Sequence, residues 1–263
     1  MSPRSIIALL TDFGLSDHYV GVMKGVMAGI CPGAHFIDIT HDIPRQDVQA
    51  GAFELAVAYR YFPAGTIFLA VVDPGVGTDR RAIAFRTGPY SFVGPDNGLF
   101  DLVITEQPPS GTALLTNPRY ARALVSATFH GRDRFAPAAA WLAQGTPLEA
   151  FGDAVALRPR LPWTVPDVTA DRVTGEVVHI DRFGNLISNI HRRIWSAMVD
   201  VLEVRVADLP PARMVRTYGD AQPGDVVALF GSTERLEIAV VQGHAAERFG
   251  VGRGAAVHVS RRA

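Results

Sequence analysis

Apolar positions follow two different patterns along the chain. In the first half, short unbroken apolar runs alternate with segments whose apolar residues recur at helical spacing. Residues 6–10 (Ile-Ile-Ala-Leu-Leu) form such a run, suited to a strand buried on both faces, and stop at Thr11-Asp12-Phe13-Gly14. Val20, Met23 and Met27, with Lys24 among them, predict a helix from about Asp17 to the Cys31-Pro32-Gly33 break. Residues 36–39 predict a second strand. Val48, Ala52, Leu55, Ala56 and Tyr59 predict a helix from Asp47 to Tyr61, closed by Phe62-Pro63-Ala64-Gly65. Residues 67–72 predict a third strand. Residues 83–85 and 91–93 flank Thr87-Gly88-Pro89 and predict a hairpin, and 97–104 and 133–143 predict further helices. Strands alternating with helices predict an α/β domain with a mainly parallel, covered sheet.

The texture then changes. Pro159, Pro162 and Pro166 fall in a stretch with little periodicity, and proline at that density removes backbone donors and stiffens a connection. Beyond it come short runs at 175–180, 202–206, 225–230, 236–240 and 255–259, several of them alternating, with turn residues between. That pattern predicts an all-β sandwich or barrel. The expected organisation is an α/β domain over 1–157, a Pro-rich linker over 158–172 and a smaller barrel-like domain over 173–263.

Composition narrows the function classes. The net charge is −1, with no long run of one sign, which gives no support for nucleic-acid or anionic-membrane partners. Apolar content of 48% and charged content of 19% argue for a folded, enzyme-like protein rather than disorder. Cys31 is the single cysteine, so no internal disulfide forms and a cytoplasmic setting is expected. No stretch reaches the ~18 apolar residues of a spanning helix. Met1 to Ser5 lead straight into the first strand, without a signal-type apolar region.

Candidate chemistry gathers where strands stop. The third strand ends in Asp73-Pro74-Gly75-Val76-Gly77-Thr78-Asp79-Arg80-Arg81. An Asp at the carboxyl end of such a strand stands at the ligand-binding edge of an open α/β sheet. A nearby Arg stays protonated and gives it a fixed countercharge; a loop ion pair of no catalytic consequence has the same residues. Asp12 can accept two hydrogen bonds from a ribose diol or serve as a turn or N-cap residue. The chain has no Gly-x-Gly-x-x-Gly fingerprint, which argues against a dinucleotide cofactor. Phe129-His130-Gly131-Arg132-Asp133 puts a titratable His at a helix start, as a ligand contact or an ordinary loop His. His41 and His130 do not form a compact metal-ligand spacing, so no metal is expected. In the second half, Asp181-Arg182-Phe183-Gly184-Asn185 interrupts two strands, as a stacking and hydrogen-bonding loop or a plain hairpin turn. Gly231-Ser232-Thr233-Glu234-Arg235 reads as another turn.

Taken together, these segments resemble the S-adenosyl-L-methionine hydroxide adenosyltransferase family, relatives of the fluorinases and chlorinases. The resemblance covers nearly the whole chain. It runs through Thr11-Asp12-Phe13-Gly14, Ile39-Thr40-His41, Val72-Asp73-Pro74-Gly75-Val76-Gly77, Gly94-Pro95-Asp96-Asn97-Gly98, the Phe129 to Asp133 motif, the Asp181 to Asn185 motif, and residues 231–242. It implies an α/β domain followed by a barrel-like domain, in a homotrimer whose sites lie between the first domain of one subunit and the second domain of its neighbour. The implied catalytic set is Asp73, Arg80 and His130. Asp12 is implied for the ribose, and Phe129, Asp181, Asn185, Val240 and Gln242 for other substrate contacts. Phe183 is implied against the adenine with Tyr218 as a second aromatic, and Ser232 near the methionine end. Gln46 stands where the halogenases place an aromatic residue near the ribose.

The implied reaction hydrolyses S-adenosyl-L-methionine to adenosine and L-methionine, with no cofactor: water attacks ribose C5′ in line with the departing sulfur. Neutral water is a poor nucleophile, so a nearby group should take or share its proton. Two alternatives stay open on the sequence. One is a halogenase, opposed by a carboxylate at position 73 that repels halide, by Val76 in place of a hydroxyl residue, and by the lack of a long insertion between Arg81 and Gly94. The other is a non-catalytic adenosylmethionine or nucleoside sensor.

Overall fold

A computed structural model of the chain describes residues 5–195, 202–207 and 209–261; of the Met1 to Ser5 lead-in only Ser5 falls within them. Three strands, β1 (Ile6–Thr11), β2 (His35–Thr40) and β3 (Ile67–Val71), pair in parallel with β1 between the other two. Next to β3 comes β5 (Tyr90–Pro95), also parallel. Then β4 (Ala82–Thr87) and β6 (Gly111–Leu114) add antiparallel, completing the order β2-β1-β3-β5-β4-β6. The sheet is therefore mixed, where the alternation of elements predicts a mainly parallel one. The reason lies in the hairpin: Thr87 pairs with Tyr90, so only Gly88 and Pro89 make the turn. A two-residue connection can join only antiparallel strands.

Successive residues of β1 face opposite sides of the sheet, which is why its sequence is apolar throughout. Ile7 and Leu9 pack with Met23 and Met27 of α1 (Tyr19–Ile30) and with the alanines of α4 (Ala136–Ala143). Ala8 and Leu10 pack with Leu55 of α2 (Val48–Ala58) and Val103 of α3 (Asp101–Glu106). The helix expected over 97–104 begins only at Asp101. Asn97 accepts from the Leu99 amide through its side chain at 3.2 Å, and Gly98 sits at φ +103°, so residues 97–100 form a turn. Likewise α4 starts at Ala136, behind a π-helical turn at Gly131–Phe135.

The chain divides into two compact units, Met1–Leu161 and Pro162–Ala263. The second is a β-barrel. Its strands are β8 (Arg172–Ile180), β9 (Leu186–His191), β10 (Leu202–Val206), β11 (Ala212–Met214), β12 (Val226–Phe230), β13 (Arg235–Val240) and β14 (Ala256–Arg261). They follow the order β14-β10-β11-β12-β13-β9-β8, and β14 pairs back onto β8. Closure removes the open edges that a seven-strand sheet would carry. The short β7 (Asp167–Val168) pairs with the start of β8. Val173, Val177, Leu186, Ile190, Val204, Leu236, Ile238 and Val257 fill the interior. Among the described residues no helix is long and apolar enough to cross a membrane.

Candidate functional site

The strand β3 is buried along its whole length, and the residue after it is pinned: Asn97 Nδ2 donates to the Val72 carbonyl at 2.8 Å. The chain then doubles back through tight turns. The Val76 amide donates to the Asp73 carbonyl at 3.2 Å, the Thr78 hydroxyl to the Gly75 carbonyl at 2.7 Å, and Gly77 adopts φ +81°. These turns return Arg80 onto Asp73. Arg80 Nε donates to Asp73 Oδ1 at 2.8 Å and Nη2 to Oδ2 at 2.5 Å, a two-point fork. The pair is well shielded, with side-chain exposures of 5% for Asp73 and 10% for Arg80. The guanidinium carbon lies 5.1 Å from the Phe135 ring centroid, a further clamp on its plane. The adjacent Arg81 serves another carboxylate, donating through Nε to Asp96 at 2.7 Å, and Arg160 donates to the same Asp96 at 2.9 and 2.8 Å.

His130 reaches this pair from the π-helical turn, a geometry often found at functional sites. Arg80 Nη2 donates to His130 Nδ1 at 2.9 Å. A guanidinium has donors only, so Nδ1 must be the accepting nitrogen and the ring proton of the neutral imidazole resides on Nε2. Burial, then the charges of Arg80 and Arg134, hold the His130 pKa below its ordinary value, which favours that neutral form. The long irregular segment leading to His130 is anchored by the fully buried Asp133. Arg132 donates to its two oxygens at 2.7 and 2.9 Å and the Ser126 amide to Oδ2 at 2.8 Å. Burial alone would push the Asp133 carboxyl up, but the Arg132 and Ser126 hydrogen bonds and the Arg132 and Arg122 charges outweigh it and hold the pKa below the usual carboxylate range.

Asp12 follows β1. Because Thr11 is in register with Val71, Asp12 and Asp73 stand at the ends of neighbouring strands. Asp12 Oδ2 accepts the Gln46 amide at 2.8 Å, and Gln46 holds a left-handed φ of +64°. Gln46 thus meets Asp12 through its backbone amide, while its carbonyl accepts the Val48 amide at 3.1 Å. Behind Asp12, the Thr11 hydroxyl and His41 Nδ1 are 2.8 Å apart and the Gly14 amide donates to the His41 carbonyl at 2.8 Å. His41 Nε2 stands 3.0 Å from Asp38 Oδ1, so His41 props the Asp12 turn. Phe129 is nearly buried and meets Phe13 and Tyr19 edge-on, at centroid distances of 6.0 and 5.1 Å. Among the described residues no three His, Cys, Asp or Glu side chains are placed to share a metal ion.

In the barrel, Asp181 organises its own loop. Its Oδ1 accepts the amides of Phe183 and Asn185, each at 2.9 Å, and Oδ2 accepts Asn185 Nδ2 at 2.9 Å. The Asn185 amide nitrogen lies 3.5 Å from the Tyr218 hydroxyl, which donates to Glu237. Asp181, Asn185 and Tyr218 are therefore gathered at one place, joined by Glu237, a residue the sequence reading does not single out. Burial pushes the Glu237 carboxyl up; the Tyr218 bond opposes this, and the charge of Asp181 adds to it. Gly231 is backed against the same carboxylate: a Cβ there would fall 2.3 Å from Glu237 Oε2. Its neighbour Ser232 lies in the turn between β12 and β13. Phe183 is 75% exposed, Val240 is packed in the barrel core, and Gln242, two residues on, holds φ +53°.

The units match known proteins separately and together. Residues 7–152 match the model of the SAM hydroxide adenosyltransferase N-terminal domain, and residues 175–258 that of the SAM hydroxide adenosyltransferase C-terminal domain. The (R)-S-adenosyl-L-methionine hydrolase of Thermus thermophilus is 44% identical over 262 residues, spanning 96% of this chain and 98% of that protein. A fluorinase of Actinoplanes sp. is 31% identical over 89% of this chain and 90% of its own length. Among solved structures, a conserved, uncharacterised protein of Thermotoga maritima superposes with a TM-score of 0.90 at 39% identity, covering 97% of this chain and 100% of that one.

Proposed function

This chain belongs to the SAM hydroxide adenosyltransferase family, and on that premise we propose that it hydrolyses S-adenosyl-L-methionine to adenosine and L-methionine. It is an enzyme of the hydrolase kind, at the identity its hydrolase relatives share with it. The observation that carries the reading is the join of Asp73, Arg80 and His130 through one guanidinium. Water attacks C5′ as the C5′–S bond breaks. The bonding pair leaves on sulfur, which becomes the neutral thioether of methionine, and one proton is lost from the water. His130, with its proton on Nε2, is set to donate and so to orient the water. Asp73 keeps oxygen lone pairs beyond those taken by Arg80 and is the group that accepts the proton. Arg80 is a positioning residue: it fixes both partners. Nothing in the scheme calls for a metal or cofactor.

Asp12 takes the ribose diol, with Phe129 in the wall beside it. Asp181, Phe183, Asn185, Tyr218, Ser232, Val240 and Gln242 supply the adenine and methionine contacts, from the barrel of a neighbouring subunit in a cytoplasmic homotrimer. That assembly rests on the family resemblance. The halogenase reading has related fluorinases behind it, but Asp73 sets a negative charge where a halide nucleophile would have to approach. The experiment is product identification by mass spectrometry. The pure protein is given the (R) and (S) sulfonium epimers, with and without chloride. Adenosine is expected in both salts; 5′-chloroadenosine as the main nucleoside would contradict the proposal.

A further inference from the structure

A concave site borders the proposed catalytic set within the first unit. It is a pocket of about 230 Å³ lined by Thr78, Asp79, Arg80, Arg81, Arg134, His130 and Thr116, with Leu114, Leu115 and Ala82 as its apolar wall. Three guanidinium groups face one acid, Asp79, among these lining residues. The three are not equivalent. Arg80 is matched by Asp73 and Arg81 by Asp96. Arg134 donates from Nη1 to the Leu115 carbonyl at 3.3 Å, and its buried Nε meets no acceptor among the described residues. Nearby Asp133 is held by Arg132 and Arg122. A guanidinium fork suits a tetrahedral oxyanion or carboxylate. The volume lies below the roughly 300–1,000 Å³ typical of sites for drug-sized ligands, which points to a small ion rather than a nucleotide.

We propose that this pocket binds a small oxyanion of the phosphate class, held by Arg134 with the Thr116 hydroxyl and Arg81 beside it. Arg80 and His130 line it too, so an anion there bears on the groups that set the attacking water. The lining shares Arg80 and His130 with the set proposed above, whereas Arg134, Thr116 and Arg81 have no part in the proposed substrate contacts, and ion binding there does not depend on the reaction assigned to them.

The test is calorimetric titration of inorganic phosphate into the full-length protein at constant ionic strength set with sodium chloride. Saturable binding is expected, one ion per chain. Arg134→Gln should weaken it at least tenfold, and Asp79→Asn, which removes the opposing charge at an exposed position, should tighten it several-fold. No saturable binding, or the same affinity in the parent and Arg134→Gln, overturns the proposal. If Arg134→Gln does not fold, Asp79→Asn decides: an unchanged affinity overturns it.

Discussion

Arg80 donates one Nη2–H to His130 Nδ1 at 2.9 Å while the same guanidinium grips Asp73 at 2.8 and 2.5 Å. The contact fixes a tautomer. His130 offers Nε2–H and keeps no free ring lone pair, so in the proposed mechanism proton acceptance is assigned to Asp73.

Asp73→Asn keeps the shape of the side chain and removes its charge. Turnover should fall by roughly 10²–10⁴-fold, the range of a general base, with substrate affinity largely kept. Single-turnover rates beside calorimetric binding separate the two effects. A variant that turns over like the parent would make the carboxylate structural.

The Arg80 contact also predicts a titration. Burial and then the Arg80 and Arg134 charges lower the His130 pKa. Its midpoint, followed by NMR of the ring protons, should lie below the ordinary value of about 6.5. Arg80→Gln removes a nearby cation, so the midpoint should rise. The stability effect has a definite sign. The unfolded chain binds this proton more readily than the folded one, so His130 contributes a penalty that appears as pH falls below about 6.5 and is fully developed below the folded pKa. His130→Gln should flatten that part of the stability profile.

Gly77 ties the Asp73 turn to the segment that carries His130. It sits at φ +81°, and a Cβ there would lie 2.5 Å from the Ala127 carbonyl oxygen. Gly77→Ala should cost about 1–3 kcal/mol, from strained backbone and displaced chain. Thermal unfolding measures the loss, and turnover should drop with it because the two halves of the proposed catalytic set are pushed apart.

Where period and burial coincide, the sequence announces the fold. Residues 6–10 and 67–72 are apolar throughout because helices cover both faces of the sheet. The Thr87-Gly88-Pro89 turn marks the hairpin, yet the order of strands it enforces is not visible in periodicity, and so the sheet is more mixed than the alternation predicts. Short elements escape notice: β11 has three residues, too few for any period. The site is harder. An Asp73–Arg pair is legible within one short segment, Arg80 lying seven positions on, but His130 lies fifty positions beyond Arg80 and no local spacing brings it to them. Only the family resemblance names all three together. Glu237 shows a different failure. Between Leu236 and Ile238 it reads as the solvent side of an alternating strand, but it is only 6% exposed. On the barrel's other face Val227, Leu229, Ala239 and Val241 form a second small core, covered by Val215 and Ala221. The unbroken apolar run at 226–230 was the available signal.

Glu237 carries its own prediction. Burial raises its pKa, against the Tyr218 bond and with the help of the Asp181 charge. A carboxyl whose folded pKa is raised destabilises the fold once pH climbs above its unfolded value of about 4.3. Glu237→Gln keeps an acceptor for Tyr218 and removes the charge. The barrel should therefore melt higher than the parent at pH 7–8, with the difference shrinking toward pH 4. A gain that is independent of pH would show that burial of the charge is not its source.

If a water molecule set by Asp73 and His130 is the nucleophile, its oxygen must end on the ribose. A single turnover with excess enzyme in oxygen-18 water, followed by mass spectrometry of the nucleoside, reads this directly. Adenosine carrying one heavy oxygen at the 5′ position is the predicted result; adenosine without the label would contradict it.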